Sequence, residues 1–122
     1  MSVIKTDLLQ NRLGTSHPAV TKADFVKAWG SVNQTGTQAL GAQFNVSSVN
    51  DGGVGLTTFL LVSSFFDPSF SSTTGIQNQA SNYDRTTVTH PSASQVAVAG
   101  FQATATLFDV VKINFISAGN LA

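Results

Sequence analysis

Apolar and polar residues alternate in the segment VVKINFIS, residues 110–117. In an extended chain, Val111, Ile113 and Phe115 fall on one face, while Lys112 and Asn114 fall on the other. A period of two residues is typical of a β-strand with one buried face, whereas an amphipathic helix has a period of 3.6 residues. The segment is therefore predicted to be a half-buried strand, and it is the clearest one in the chain.

The composition indicates that this preference for strands holds along the whole chain. All six acidic residues are aspartates, so glutamate, a good helix former, is absent, while Thr, Val and Phe favour sheets. Only 10% of the residues are charged, against about 25% in typical domains. The net charge is zero and the basic residues are scattered, which argues against nucleic acid or an acidic membrane as a partner.

Short segments of strand character are separated by residues that favour turns. They are residues 2–9, 42–49, 56–66, 85–90, 94–100 and 110–117. Residues 20–29 fit a strand or a short helix, because Phe25 and Trp29 are four positions apart. About seven strands in 122 residues predict one all-β domain, an antiparallel β-sandwich or a small barrel of jelly-roll-like type.

The segments between these strands are predicted to be loops. Residues 13–18 form a turn by composition, residues 30–41 contain the breakers Gly30, Gly36 and Gly41, and residues 67–84 form a long polar loop. Residues 59–62 are apolar at every position, which predicts burial of both strand faces. Their side chains are the candidate subunit interface: Phe59, Leu60, Leu61 and Val62.

The stretch FNVSSVNDGGVG, residues 44–55, combines an acidic residue with three glycines. A phosphate-binding loop would lead into a helix, but LTTFLLV, which has strand character, follows Gly55. A calcium loop would need more oxygen donors than the side chains of Asn50 and Asp51 offer. We therefore predict a hairpin turn in which Asn50, Asp51, Gly52 and Gly53 supply the positive-φ positions.

No other pattern of residues predicts catalysis or metal binding. His17 and His90 each precede a proline, which is typical of turns and extended segments. The chain has no cysteine and no G-x-S-x-G motif, and no two aspartates are close in sequence. We expect no catalytic residue, no metal ligand and no cofactor.

Four aromatic residues flank or lie in the long polar loop. Phe65 and Phe66 are expected in the core or at a subunit interface, on burial statistics. The polar setting of Tyr83 favours a surface position, where an aromatic ring can stack on a sugar and amides can bind its hydroxyls. The candidate surface contacts are Phe70, Asn78, Gln79, Asn82 and Tyr83.

Residues 27–55 resemble a known family. Lys27-Ala28-Trp29, Gly36-Thr37, the run FNVSSV and Asp51-Gly52 are similar to a β domain of tailed-phage tail fibres and other small virion structural proteins. A late strand similar to VVKINFI closes that domain, and VIKTDLLQNRLGT resembles the strand that precedes it. The late turn bears a glycine in the family but is QATATLFD here.

The resemblance implies a non-enzymatic virion protein, a homotrimer whose outward loops face the host surface. Residues 1–26 would dock on other virion proteins and residues 27–122 would form the β-sandwich. A tail-fibre or adsorption role is the first hypothesis, with the loop at residues 67–84 as the contact and a host surface glycan as a further partner. The alternative is a capsid decoration protein that stabilises the head, and a carbohydrate-active or metal-dependent enzyme is the least favoured.

Two further expectations concern localisation. Residues 1–14 lack the apolar core of a signal peptide, and no apolar run reaches the roughly 18 residues that span a membrane. We therefore expect synthesis in a cytoplasm and no membrane insertion. The resemblance implies that this is the host cytoplasm and that the final place of the protein is on the virion.

Overall fold

The computed structural model describes residues 26–77, 85–102 and 105–122, and these contain eight β-strands. The strands are β1 (Val26–Asn33), β2 (Ala39–Phe44), β3 (Val46–Asp51), β4 (Leu56–Leu61), β5 (Ser71–Gln77), β6 (Arg85–Ser92), β7 (Gln95–Phe101) and β8 (Lys112–Ala118). The predicted strand at residues 2–9 and the turn at 13–18 lie outside the described residues.

The strands form two antiparallel sheets that pack as a sandwich. The first sheet has the order β2-β1-β8-β5, and the second has the order β3-β4-β7-β6. The all-β prediction and its sandwich alternative are confirmed. Three pairs of consecutive strands form hairpins within one sheet: β1–β2, β3–β4 and β6–β7.

The core lies between the sheets and is built by alternate residues of each strand. In β8, Ile113 and Phe115 are buried while Lys112 and Asn114 are exposed, as the alternation predicts. The Phe115 ring packs against Phe59 with 4.6 Å between the ring centroids. Gly30 faces this pair, and a Cβ there would lie 3.2 Å from the Phe115 ring and 3.3 Å from the Phe59 ring. The missing side chain makes room for the two rings.

Several predicted boundaries are wrong because Gly30 and Gly41, which predict breaks between strands, lie inside strands β1 and β2. The predicted loop at 30–41 contains the end of β1 and the start of β2, so that only residues 34–38 connect these strands. Residues 26–29, left open between strand and helix, belong to strand β1. Glycine disfavours strands only weakly. At a position such as Gly30, the packing of the sheet around the buried residue outweighs that preference.

The predicted single strand at 42–49 is also wrong. The chain turns at Asn45, which has a φ of 60°, and β2 and β3 lie in different sheets on either side of it. Phe44 is consequently exposed while Val46 is buried, although two residues with this spacing would share a face in one continuous strand.

The predicted long loop at 67–84 contains strand β5. Residues Ser71–Gln77 pair with β8 at seven positions, although their sequence, SSTTGIQ, lacks an apolar alternation. Because β5 is an edge strand, a single neighbouring strand and few buried side chains are enough to hold it.

Candidate functional site: the outer face of the first sheet

The β3–β4 hairpin contains the glycine-rich stretch and is a turn. Asn50 and Asp51 end β3, and the positive-φ positions are Gly53 (φ 105°) and Gly55 (φ 70°), so the assignment of Asn50, Asp51 and Gly52 to such positions is wrong. Asp51 Oδ1 accepts hydrogen bonds from Gly53 N at 2.8 Å and from Gln38 Nε2 at 3.0 Å. This carboxylate oxygen therefore already has two partners within the chain, which supports a structural role for the stretch.

The four residues of the predicted subunit interface divide between the core and the surface. The side chains of Phe59 and Leu61 are buried in the core of the chain, so they are not available to a partner. Leu60 is half-buried and 69% of Val62 is exposed. The expectation that both faces are buried does not hold within the single chain, and Leu60 and Val62 stay interface candidates.

Of the five predicted surface contacts, Phe70 is the one that lies in the described residues, and its prediction is wrong. Phe70 is buried, because its ring stacks on Phe65 with 3.9 Å between centroids and an interplanar angle of 9°. Phe65 is buried, as expected for a core residue, whereas Phe66 is 74% exposed. Asn78, Gln79, Asn82 and Tyr83 lie outside the described residues.

His90 joins the two sheets where β5 and β6 meet. The ring lies 3.9 Å from the Phe70 ring, and Nε2 is 2.8 Å from Ser72 Oγ, which is in turn bonded to Ser117 Oγ. Burial lowers the pKa of His90 from 6.5, and a hydrogen bond to the Pro68 carbonyl acts in the opposite direction. The serine–histidine pair resembles half of a nucleophile–base arrangement, but both groups serve to bridge strands that belong to different sheets.

A row of apolar side chains crosses the outer face of the first sheet. Trp29 pairs with Phe44 on β2 and with Ile116 on β8, and the exposed fractions are 40%, 54% and 49%. Directly opposite residues on neighbouring strands have Cβ atoms about 5 Å apart, so these three side chains form one contiguous surface. We call Phe44, Trp29 and Ile116 the apolar row. A depression of about 290 Å³ lies beside it, lined by Trp29, Ser31, Asn114 and neighbouring residues.

The outer face of the second sheet has a different character. A comparable row of opposite residues there consists of Asn50, Thr58, Ala97 and Thr89. In the described part of the chain, every large hydrophobic residue that is both exposed and within a strand belongs to the first sheet. The large exposed hydrophobic side chains of the described strands therefore lie on one outer face, beside polar residues such as Lys112 and Asn114, whereas the row across the other sheet is small and mostly polar.

A groove lies at the corner where β2 turns into β3. Its volume is about 630 Å³, and Val26, Phe44, Val62 and Leu121 supply its apolar walls. Asn45 holds the corner, because its Nδ2 donates to the carbonyls of Lys27 and Ser63, each at 3.0 Å. We call this cavity the corner groove. It adjoins the apolar row through Phe44, which belongs to both.

Neither a metal cluster nor a membrane-spanning helix is present in the described residues. No group of three or more His, Cys, Asp or Glu side chains there could hold a metal ion. No helix long and apolar enough to cross a membrane occurs in the same residues.

Comparisons with protein-family models, curated proteins and solved structures find no match to this chain. The site is therefore defined by its geometry alone.

Sequence reasoning missed the apolar row. The sequence leaves residues 20–29 open between strand and helix, so it does not fix the direction of the Trp29 side chain. The spacing of Phe44 and Val46 is that of residues on one strand face, although Val46 is buried. The alternation Ala28, Gly30, Val32 was the available signal, because it assigns the inward face of β1 to small residues and turns Trp29 outward. The cross-strand register that aligns Trp29 with Phe44 and Ile116 is not visible in one sequence.

Proposed function

We propose that this chain is a structural protein of a bacteriophage particle, and that it assembles as a homotrimer in the tail-fibre or adsorption apparatus. The observation that carries the proposal is the apolar row on one face of the sandwich. Exposed contiguous apolar surface marks sites of protein association, and aromatic residues are enriched at such interfaces. The resemblance of residues 27–55 to a virion β domain supplies the kind of assembly.

In this assembly the first sheet faces neighbouring copies and the second sheet faces solvent, so Leu60, on the outer face of β4, is not part of this interface. The row Asn50, Thr58, Ala97 and Thr89 is small and uncharged, which suits a surface that meets neutral polar groups such as those of a host glycan. Residues 1–26 would bind other virion proteins. The protein carries out no catalysis in this role, and it is made in the host cytoplasm before it joins the particle.

The host-contact segment of the proposal is narrower than residues 67–84. Strand β5 occupies Ser71–Gln77, and its removal would leave one edge of β8 unpaired, so a deletion there would test the fold together with the contact. The remaining candidates are Asn78, Gln79, Asn82 and Tyr83. Replacing these four with alanine is the appropriate test, and attachment to host cells should fall while the copies still assemble. Unchanged attachment would refute the contact assignment.

Sedimentation velocity tests self-association through the apolar row. We expect the wild-type chain to sediment as a trimer and the Ile116→Glu variant as a monomer, because a buried unpaired charge is costly. Thr87→Glu is the matched control, since Thr87 is exposed on β6 of the opposite face and this variant should stay trimeric. Circular dichroism establishes that both variants are folded. A monomeric wild type, or a trimeric Ile116→Glu variant, would contradict the proposal.

Gold-labelled antibody on intact particles tests the location. Label on the tail or its fibres would support the adsorption role. Label over the head would instead support the decoration alternative, for which the same apolar face would serve. In that case, heads stripped of the protein should release DNA at a lower temperature than intact heads.

A further inference from the structure

The corner groove is a preformed feature of the fold. Asn45 Nδ2 donates to two carbonyls, Ser63 N donates to Asn45 Oδ1 at 2.7 Å, and Val62 N donates to the Asn45 carbonyl at 3.1 Å. These bonds fix the start of β1, the β2–β3 turn and the residues after β4 relative to one another. The groove therefore does not need to rearrange before something binds in it.

The walls of the corner groove expose three large apolar side chains to solvent, which is unfavourable while the groove is uncovered. Val26 is 47% exposed, Phe44 54% and Val62 69%. Exposed apolar side chains this close together are the usual mark of a surface that another segment covers. The remaining lining is uncharged apart from Lys27, so an apolar occupant fits better than a charged one.

The position of Val26 indicates which segment this is. Val26 is the first residue of β1 and also lines the groove, so the 25 residues that precede it are attached to the sandwich at the groove itself. Within them, Val3, Ile4, Leu8, Leu9 and Leu13 are apolar. The 12 residues from 14 to 25 span up to about 40 Å when extended, which allows residues 3–13 to return to the groove.

We propose that residues 1–25 cover the corner groove of their own chain through the apolar side chains of residues 3–13. Attachment to Val26 places the segment at a high effective concentration, which a second copy or another protein does not have. This inference replaces the docking of residues 1–26 on other virion proteins, because it places residues 3–13 on their own chain. It can be tested apart from self-association, because Val62 lines the corner groove and lies outside the apolar row.

Photo-cross-linking tests the proposal on the full chain. The chain has no cysteine, so a benzophenone maleimide attached to the Val62→Cys variant labels a single position. We expect cross-links to peptides from residues 1–25 in a band of monomer size. The Thr87→Cys control, on the opposite face, should give none. Cross-links to residues 26–122 of a second copy, or no cross-links at all, would overturn the proposal.

Limited trypsin digestion provides an independent measurement. Arg12 lies in the segment, and cleavage after it should be slow while the segment occupies the groove. In the Val62→Asp variant we expect cleavage on the order of tenfold faster, because proteolysis follows the population of the open state. The Thr87→Asp variant should be cleaved at the wild-type rate. Equal rates in Val62→Asp and wild type would contradict the inference.

Discussion

Ala105 adopts a backbone conformation that favours glycine. Its φ is 64°, in the turn where Ala105 N donates to the Gln102 carbonyl and Gln102 N donates to the Thr106 carbonyl. The turn lies in QATATLFD, where the resembled family bears a glycine. We expect Ala105→Gly to raise the free energy of unfolding by about 0.5–1 kcal/mol, because relief of the left-handed strain exceeds the entropy cost of glycine.

Urea unfolding measures this effect, and Ala39→Gly is the matched control. Ala39 is exposed at the start of β2 without a positive φ, so the same substitution there should lower stability. A loss of stability in Ala105→Gly would contradict the strain argument.

His90 makes the stability of the fold depend on pH. Burial lowers the pKa of His90 in the folded state below 6.5. The His90 ring of the unfolded chain therefore binds a proton more readily than that of the folded chain as the pH falls below 6.5. The contribution of His90 is fully present above pH 6.5 and is lost as the pH falls through the lower folded pKa. We expect the urea midpoint to fall between about pH 7.5 and about pH 5, and the fall to be smaller in His90→Gln. An equal fall in both proteins would show that other groups cause it.

At the scale of elements, the β2–β3 corner depends on one side chain. Asn45 combines a φ of 60° with three side-chain hydrogen bonds to the Lys27 carbonyl, the Ser63 carbonyl and Ser63 N. Asn45→Gly keeps the backbone conformation but loses these bonds, which should cost about 2–3 kcal/mol. Asn45→Ala also acquires left-handed strain and should cost about 1 kcal/mol more.

Thermal or urea unfolding of the two Asn45 variants separates these contributions. If both variants matched the wild type, the corner would not be a determinant of the sandwich. If Asn45→Ala were the more stable of the two, the backbone term would have the wrong sign.

The elements that sequence predicts well are those whose own pattern determines them. β8 alternates strictly, and the β3–β4 hairpin has glycines beside an aspartate, so local physics is sufficient for both. β5 could not be predicted in this way, because SSTTGIQ is held by its pairing with β8, a contact distant in sequence. The turn at Asn45 could not be predicted either. In a sequence, an asparagine with a left-handed backbone cannot be distinguished from a polar residue within a strand.

At the scale of the whole molecule, the candidate site arises from the β1–β2 hairpin and from β8, which is distant from it in sequence. The sequence shows that Trp29, Phe44 and Ile116 are large and apolar. It does not show that they lie opposite one another, because that depends on the register between β2, β1 and β8. Composition predicts a charge-poor chain whose surface suits association. It does not predict that the large exposed side chains of the strands gather on one sheet, which the sandwich alone determines.

A surface of this kind links stability to concentration. If copies associate through the apolar row, association stabilises the folded chain by mass action, and the melting temperature rises with protein concentration. We expect such a rise for wild type in scanning calorimetry over a hundredfold range of about 1–100 μM, since association in this range contributes up to about 2.7 kcal/mol. The Ile116→Glu variant should melt at one temperature throughout, and Thr87→Glu should behave as wild type. If the melting temperature of wild type did not depend on concentration, the copies would not associate in this range. The apolar row would then need another partner to explain its exposure.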